Sequence, residues 1–160
     1  MQSMSYGHTT GTKFTRTKKD LNSLEQGNIF MTTVLLVEDS LTETQVLTSY
    51  LKQAGLSVVS AKSSEEAQIK LQFQIPDLVI LDVILPGQSG FELCRELKTN
   101  ATTKSIPVVI CSTKGTEADK LWGSMLGADA YIPKPVNQQQ LIQTIRKLTS
   151  DFQQWSNQIN

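Results

Sequence analysis

Four short apolar runs in this sequence lead into side chains that could do chemistry together. VLLV at 34–37 is followed by Glu38, Asp39 and Ser40, LVIL at 78–81 by Asp82, VVIC at 108–111 by Ser112, Thr113 and Lys114, and AYI at 130–132, past one proline, by Lys134. Asp82 poses the sharpest question, because VILDVIL places it between two apolar triplets. A buried, unpaired carboxylate is costly or neutralises itself. Three carboxylates at one place repel unless a cation intervenes, and a hard dication held by few carboxylates with open water positions is best matched by Mg2+. Lys134 would then hold an anion opposite the metal and Ser112 would donate a hydroxyl. Such a set clamps a transferring phosphoryl group, with Asp82 as the nucleophile that becomes an acyl phosphate.

Those residues can meet only if the runs lie side by side. From Met31 onward five apolar runs, at 34–37, 56–61, 78–81, 108–111 and 130–132, alternate with helical patterns. Runs continuous in Val, Ile and Leu predict strands covered on both faces of a parallel sheet. Each is followed by an N-cap candidate with a polar partner three residues on: Ser40 with Glu43, Ser63 with Glu66, Ser89 with Glu92, Thr116 with Asp119, and Asn137 with Gln140. Stripes of helical spacing come next, Leu47, Tyr50, Leu51 and Ala54 in the first helix, Leu121, Trp122, Met125 and Leu126 in the fourth, and Leu141, Ile145 and Leu148 in the fifth. They predict helices that cover the sheet.

Five such units give an α/β fold, a flavodoxin-like doubly wound parallel sheet in the order 2-1-3-4-5. That order makes the fifth strand an edge, where Pro133 is tolerated. Ligands bind such sheets beyond the carboxyl ends of the strands, near the reversal between strands one and three. Strand two, away from that point, ends in Ala61 and offers nothing.

Composition excludes other chemistries. The 160 residues suit one domain. Basic and acidic groups number 15 each, and residues 1–30 hold four basic and two acidic, which leaves 11 against 13 in the remainder. No basic face for nucleic acid is expected there. Cys94 and Cys111 lie in apolar surroundings and read as reduced core residues. No run reaches bilayer length and the basic N-terminus lacks an apolar segment, so a cytoplasmic location without membrane partners is expected. The only histidine, His8, and the only Gly-Thr-Lys, at 11–13, fall in the polar N-terminal stretch, which removes a histidine triad, a His-rich metal site and a phosphate-binding P-loop.

LLVEDS, LVILDVILPGQSGFEL, VVICSTKG and GADAYIPKPV together resemble the CheY-like receiver domains of two-component response regulators, over Val34 to about Leu148. The resemblance implies that Asp82 is the phosphoacceptor and that Glu38, Asp39, Asp82 and the backbone carbonyl of Ile84 bind Mg2+. It also implies that Ser112 and Lys134 contact the phosphoryl group, that Ser112 and Tyr131 form the switch, and that the Lys134–Pro135 bond is cis. The output surface would be helix four, strand five and helix five. Trp122 and Met125 either contribute to it or simply bury against the sheet. A separate histidine kinase would supply the phosphoryl group, and signalling would proceed by docking to a downstream protein. The run from Ser112 to Val136 further resembles the PilH-type receivers of type IV pilus and phototaxis systems, which points to motility or pilus machinery. Glu38 stands where Asp is commoner, and Ser112 where Thr is frequent. Two other functions stay open, a Mg2+-dependent phosphohydrolase and a phosphorylation-independent scaffold. The adjacent pair Glu38 and Asp39, in place of a D-x-D motif, favours a phosphoacceptor over a turnover enzyme.

The ends are read separately. Residues 1–30 have the composition of a disordered extension, with Met31 as a candidate natural start, and 31–150 form the receiver. Beyond Leu148 the apolar series continues through Phe152, Trp155 and Ile159. Residues 151–160 are either a lengthened fifth helix that docks on a partner or a twin subunit as a weak homodimer, or a Gln-rich tail. With so few residues after the receiver, no DNA-binding output module is expected in this sequence.

Overall fold

The computed structural model describes residues 31–149. The sequence expectations for 1–30 and for the stripe through Phe152, Trp155 and Ile159 lie outside the described residues. Five strands, β1 (Thr33–Val37), β2 (Ser57–Ala61), β3 (Leu78–Leu81), β4 (Val108–Ser112) and β5 (Ala130–Pro133), alternate with α1 (Leu41–Gln53), α2 (Ser64–Leu71), α3 (Gly90–Thr99), α4 (Glu117–Met125) and α5 (Gln138–Leu148). The strands form one parallel sheet in the order β2-β1-β3-β4-β5.

The unbroken apolar strands follow from two cores, one on each face. Leu35, Val37, Val79, Leu81, Val108 and Ile110 point to the side covered by Ala67 of α2 and by Leu93, Cys94 and Leu97 of α3. Val34, Leu36, Leu78, Ile80, Val109 and Ile132 point to the other, against Leu47 and Leu51 of α1 and Leu141, Ile142 and Ile145 of α5. Alternate side chains of a strand face opposite ways, so both sets must be apolar.

Two details depart from the sequence expectations, the start of β2 and the capping boxes. β2 begins at Ser57, not Leu56, because the Leu56 N–H donates to Leu51 O and closes the end of α1, past Gly55 at φ +84°. β4 and β5 run to Ser112 and Pro133, which pair with each other, in line with the placement of Pro133 in the last strand. All five N-caps form, but only Thr116 and Asp119 close the full reciprocal box among the described residues. Glu66 instead reaches back to the N–H of Lys62, at 2.8 Å.

The fourth helix corrects a larger expectation. Leu121, Trp122 and Met125 are 63%, 49% and 69% exposed and do not cover the sheet, whereas Leu126, the last residue of the expected stripe, packs against the core. The sheet-facing position is Gly123, where an added Cβ would stand 3.1 Å from the Tyr131 ring and 3.3 Å from Ile110. Tyr131 and Ile110 rise from the sheet into the space a helix side chain would fill, so the bulky residues of α4 turn outward. Pro133 sits on the edge strand and the Lys134–Pro135 bond is cis.

Both thiols are free and buried. Burial pushes Cys94 up to about 11 and Cys111 up to about 12. An acid whose pKa is raised by folding costs no stability below its ordinary value, and stability is lost as the pH rises from there through the folded value. Both cysteines should therefore resist iodoacetamide in the native protein at pH 8 and react in urea. Native labelling as fast as that in urea would show that the core opens readily.

Candidate functional site

β1 and β3 are neighbours in register, Val37 beside Leu81, so the residues that leave them emerge together. The ladder continues one step past the strands: the Glu38 N–H donates to Ala61 O at 2.9 Å and the Asp82 N–H to Val37 O at 3.1 Å. Both backbones are therefore fixed where the carboxylates begin. Ser40 serves two elements, since its side chain caps α1 through the Glu43 N–H and its own N–H donates to Glu38 Oε2 at 3.1 Å.

Lys134 arrives from β5, its N–H bonded to Ser112 O at 3.0 Å. Its ammonium lies 2.6 Å from Glu38 Oε1 and 3.4 Å from Asp82 Oδ2. Glu38 and Asp82 are 3% and 8% exposed, so this is an interior ion cluster, where a lost partner is costly. Burial pushes the Glu38 carboxyl above its usual value, against the opposing pull of Lys134 and of the Ser40 N–H. For Lys134 burial acts downward, and the hydrogen bond to Glu38 with the charge of Asp82 outweighs it, so the ammonium is held above its usual value.

One lysine does not satisfy the site. Asp82 Oδ1 is buried and has no hydrogen-bond partner. Ligand oxygens of Glu38, Asp39 and Asp82 lie within 4.8 Å of one another, a donor set of hard carboxylate oxygens. An orphaned buried oxygen inside a carboxylate triad fits a divalent cation, which would supply the missing partner and offset the repulsion. Ile84, whose carbonyl the resemblance adds to the ligands, lies in the exposed turn after β3 between buried Val83 and Leu85.

Ser112 ends β4 and is fully buried, its hydroxyl accepting from the Lys114 N–H at 3.2 Å. A hydroxyl that accepts one bond still has a proton to give. Tyr131 is half-buried on the adjoining strand and its hydroxyl donates to Lys114 O. Burial raises its pKa, with Ser112 pulling the other way. Trp122 and Met125 lie apart from this cluster, on the exposed side of α4. A hollow of about 1090 Å3 is bordered by Phe73, Ile75 and Thr103, and none of the clustered carboxylates lines it.

Gly90 is a site residue that the sequence reading passed over. An added Cβ there would fall 1.9 Å from the backbone oxygen of Asp82, while the Gly90 N–H donates to Val83 O at 2.9 Å. The first turn of α3 therefore presses directly on the backbone of the central carboxylate. A glycine right after the N-cap Ser89, a place most residues would fill with a better helix former, was the available signal.

A family model described as "Response regulator receiver domain" matches residues 34–146. Protein PilH of Pseudomonas aeruginosa is 39% identical over 115 residues, which cover 72% of this chain and 95% of that protein. The phosphate regulon transcriptional regulatory protein PhoB of Rhizobium meliloti is 35% identical over 115 residues, and the match spans 51% of its length. Among solved structures, the chemotaxis response regulator CheY4 of Vibrio cholerae aligns with a TM-score of 0.70 at 30% identity, over 74% of this chain and 99% of that one.

Removal of the cation should expose the tension in the cluster. Lys134→Met leaves two buried carboxylates without their counter-charge and should destabilise the fold by about 3 kcal/mol at neutral pH without metal, as read by urea unfolding. A loss near zero would mean that the pair is relieved by solvent.

Proposed function

The chain belongs to the response regulator receiver family, and from that premise we propose that it is a phosphorylation switch in which Asp82 accepts a phosphoryl group from a histidine kinase. The observation that carries this reading is the state of Asp82: buried at the end of β3, one oxygen facing Lys134 and the other unpartnered, inside a carboxylate triad. In the transfer, an Asp82 oxygen forms a bond to phosphorus as the phosphorus–nitrogen bond of the phosphohistidine breaks, and its electron pair returns to the imidazole. Mg2+ held by Glu38, Asp39, Asp82 and the Ile84 carbonyl would neutralise charge on the transferring group. Lys134 holds the anionic oxygens from the other side and Ser112 donates its hydroxyl to them.

The signal would leave through Ser112 and Tyr131. Both already engage the same segment, Ser112 through the Lys114 N–H and Tyr131 through the Lys114 carbonyl. A phosphoryl group that draws the Ser112 hydroxyl toward Asp82 breaks this arrangement, and Tyr131, resting on Gly123, passes the change to α4. The exposed Trp122 and Met125 on that helix would contribute to the surface read by a protein partner. The likeness to PilH favours a partner in pilus or motility machinery. Among the described residues no helix is long and apolar enough to cross a membrane.

Incubation with acetyl phosphate and Mg2+, followed by mass spectrometry, tests the acceptor. One phosphoryl adduct per chain is expected, lost in Asp82→Ala and on chelation of the metal. Multiple turnovers on phosphate esters would indicate a hydrolase, and no adduct at all a phosphorylation-independent scaffold. In a Trp155→Phe background, beryllofluoride with Mg2+ should shift Trp122 emission. Unchanged emission would remove Trp122 from the responding surface.

A further inference from the structure

The turn from Asp82 to Gly90 carries the central carboxylate at its start and the Ile84 carbonyl in its exposed middle. Its far arm is fastened to α2 through Gln88. The Gln88 N–H donates to Glu65 Oε2 at 3.2 Å, and the Gln88 carbonyl accepts from Ser64 Oγ at 3.0 Å. Beside it, Gly87 adopts φ +72°, and an added Cβ there would stand 3.0 Å from Glu65 Oε2, so the turn lies directly against that carboxylate. The Gln88 side chain is tied as well, donating to Glu96 Oε2 at 2.5 Å and accepting from Gln68 at 3.4 Å.

Neither Ser64 nor Glu65 is needed to start the helix. Ser63 is the N-cap, bonded to the Glu66 N–H, while Glu66 turns back to Lys62 and pairs with Lys70. Ser64 is fully buried, and its hydroxyl crosses to another element. A buried hydroxyl and a first-turn carboxylate thus grip the two sides of a single residue, four positions beyond Ile84. An ordered turn presents its carbonyl without a further ordering cost when a ligand arrives, and partners behind the ligands affect metal affinity for that reason.

We infer that Ser64 and Glu65 are positioning residues for the metal site, acting through Gln88 to hold the turn that bears Asp82 and the Ile84 carbonyl. This rests on the receiver reading above, in which those groups bind Mg2+. Calorimetric titration of the full chain with Mg2+, together with amide exchange across 83–88, tests it in wild type, Ser64→Ala, Glu65→Ala and Glu65→Gln. Each alanine variant should raise the Mg2+ dissociation constant about three- to tenfold and speed exchange in the turn, with the urea midpoint little changed. Glu65→Gln keeps an acceptor oxygen but drops the charge, and should restore the wild-type constant. Wild-type affinity in both alanine variants would overturn the inference, as would a Glu65→Gln variant as weak as Glu65→Ala, which would assign the effect to charge alone. Failure of the wild type to bind Mg2+ would remove the receiver reading and this inference together, whereas unchanged variants of a binding wild type remove only the inference.

Discussion

Repulsion among carboxylates is the constraint around which this structure is arranged. Glu38 and Asp82 are nearly enclosed by protein, and Asp39 stands beside them at the rim. Water cannot screen the first two, so the chain has to supply positive charge by its own geometry. Lys134 does this from a strand two places away from β3 in the sheet, with its ammonium between the two buried acids. Glu38 O, Ser40 N–H and Ala61 O complete a scaffold that leaves little freedom for the acidic side. Asp82 Oδ1 is left without a partner, and that is where the tension in the cluster concentrates.

The sheet makes the cluster possible and also limits what surrounds it. Because β3 is central and covered on both faces, its exit is the first place on that strand where a polar side chain can reach solvent or a ligand. Gly90 brings α3 onto the Asp82 carbonyl and Gly123 lets α4 settle over Tyr131, so two glycines set how closely helices approach the acidic cluster and the Tyr131 ring. The same close approach turns Leu121, Trp122 and Met125 outward. An apolar outer face on α4 is thus a consequence of Tyr131 occupying the space beneath it.

Much of this was legible in the residues. Five apolar runs and five polar cap pairs indicated the parallel sheet and its winding, because the two-sided burial of the inner strands β1, β3 and β4 and N-capping have strong local signatures, while the edge strands β2 and β5 are only partly covered. Strand-end chemistry, with Glu38, Asp39, Asp82 and Lys134 at one edge, followed from the order. The errors were of another kind. The spacing of Leu121, Trp122 and Met125 is that of a covering face, and helical periodicity by itself does not say which side of a helix meets the sheet. Gly90, Ser64 and Glu65 drew no notice, since their neighbours are distant in sequence or their partners are backbone atoms.

What the sequence determined by itself was therefore the alternation of elements, the order of the strands and the chemical types gathered at their carboxyl ends, because those depend on local pattern and on the few windings a chain can adopt. Only the tertiary structure decided which oxygen of Asp82 faces Lys134 and which is left unpartnered, that α4 meets Tyr131 through a glycine, and that the turn after β3 is tied to α2 through Gln88. Those are distances between atoms far apart along the chain, fixed by packing.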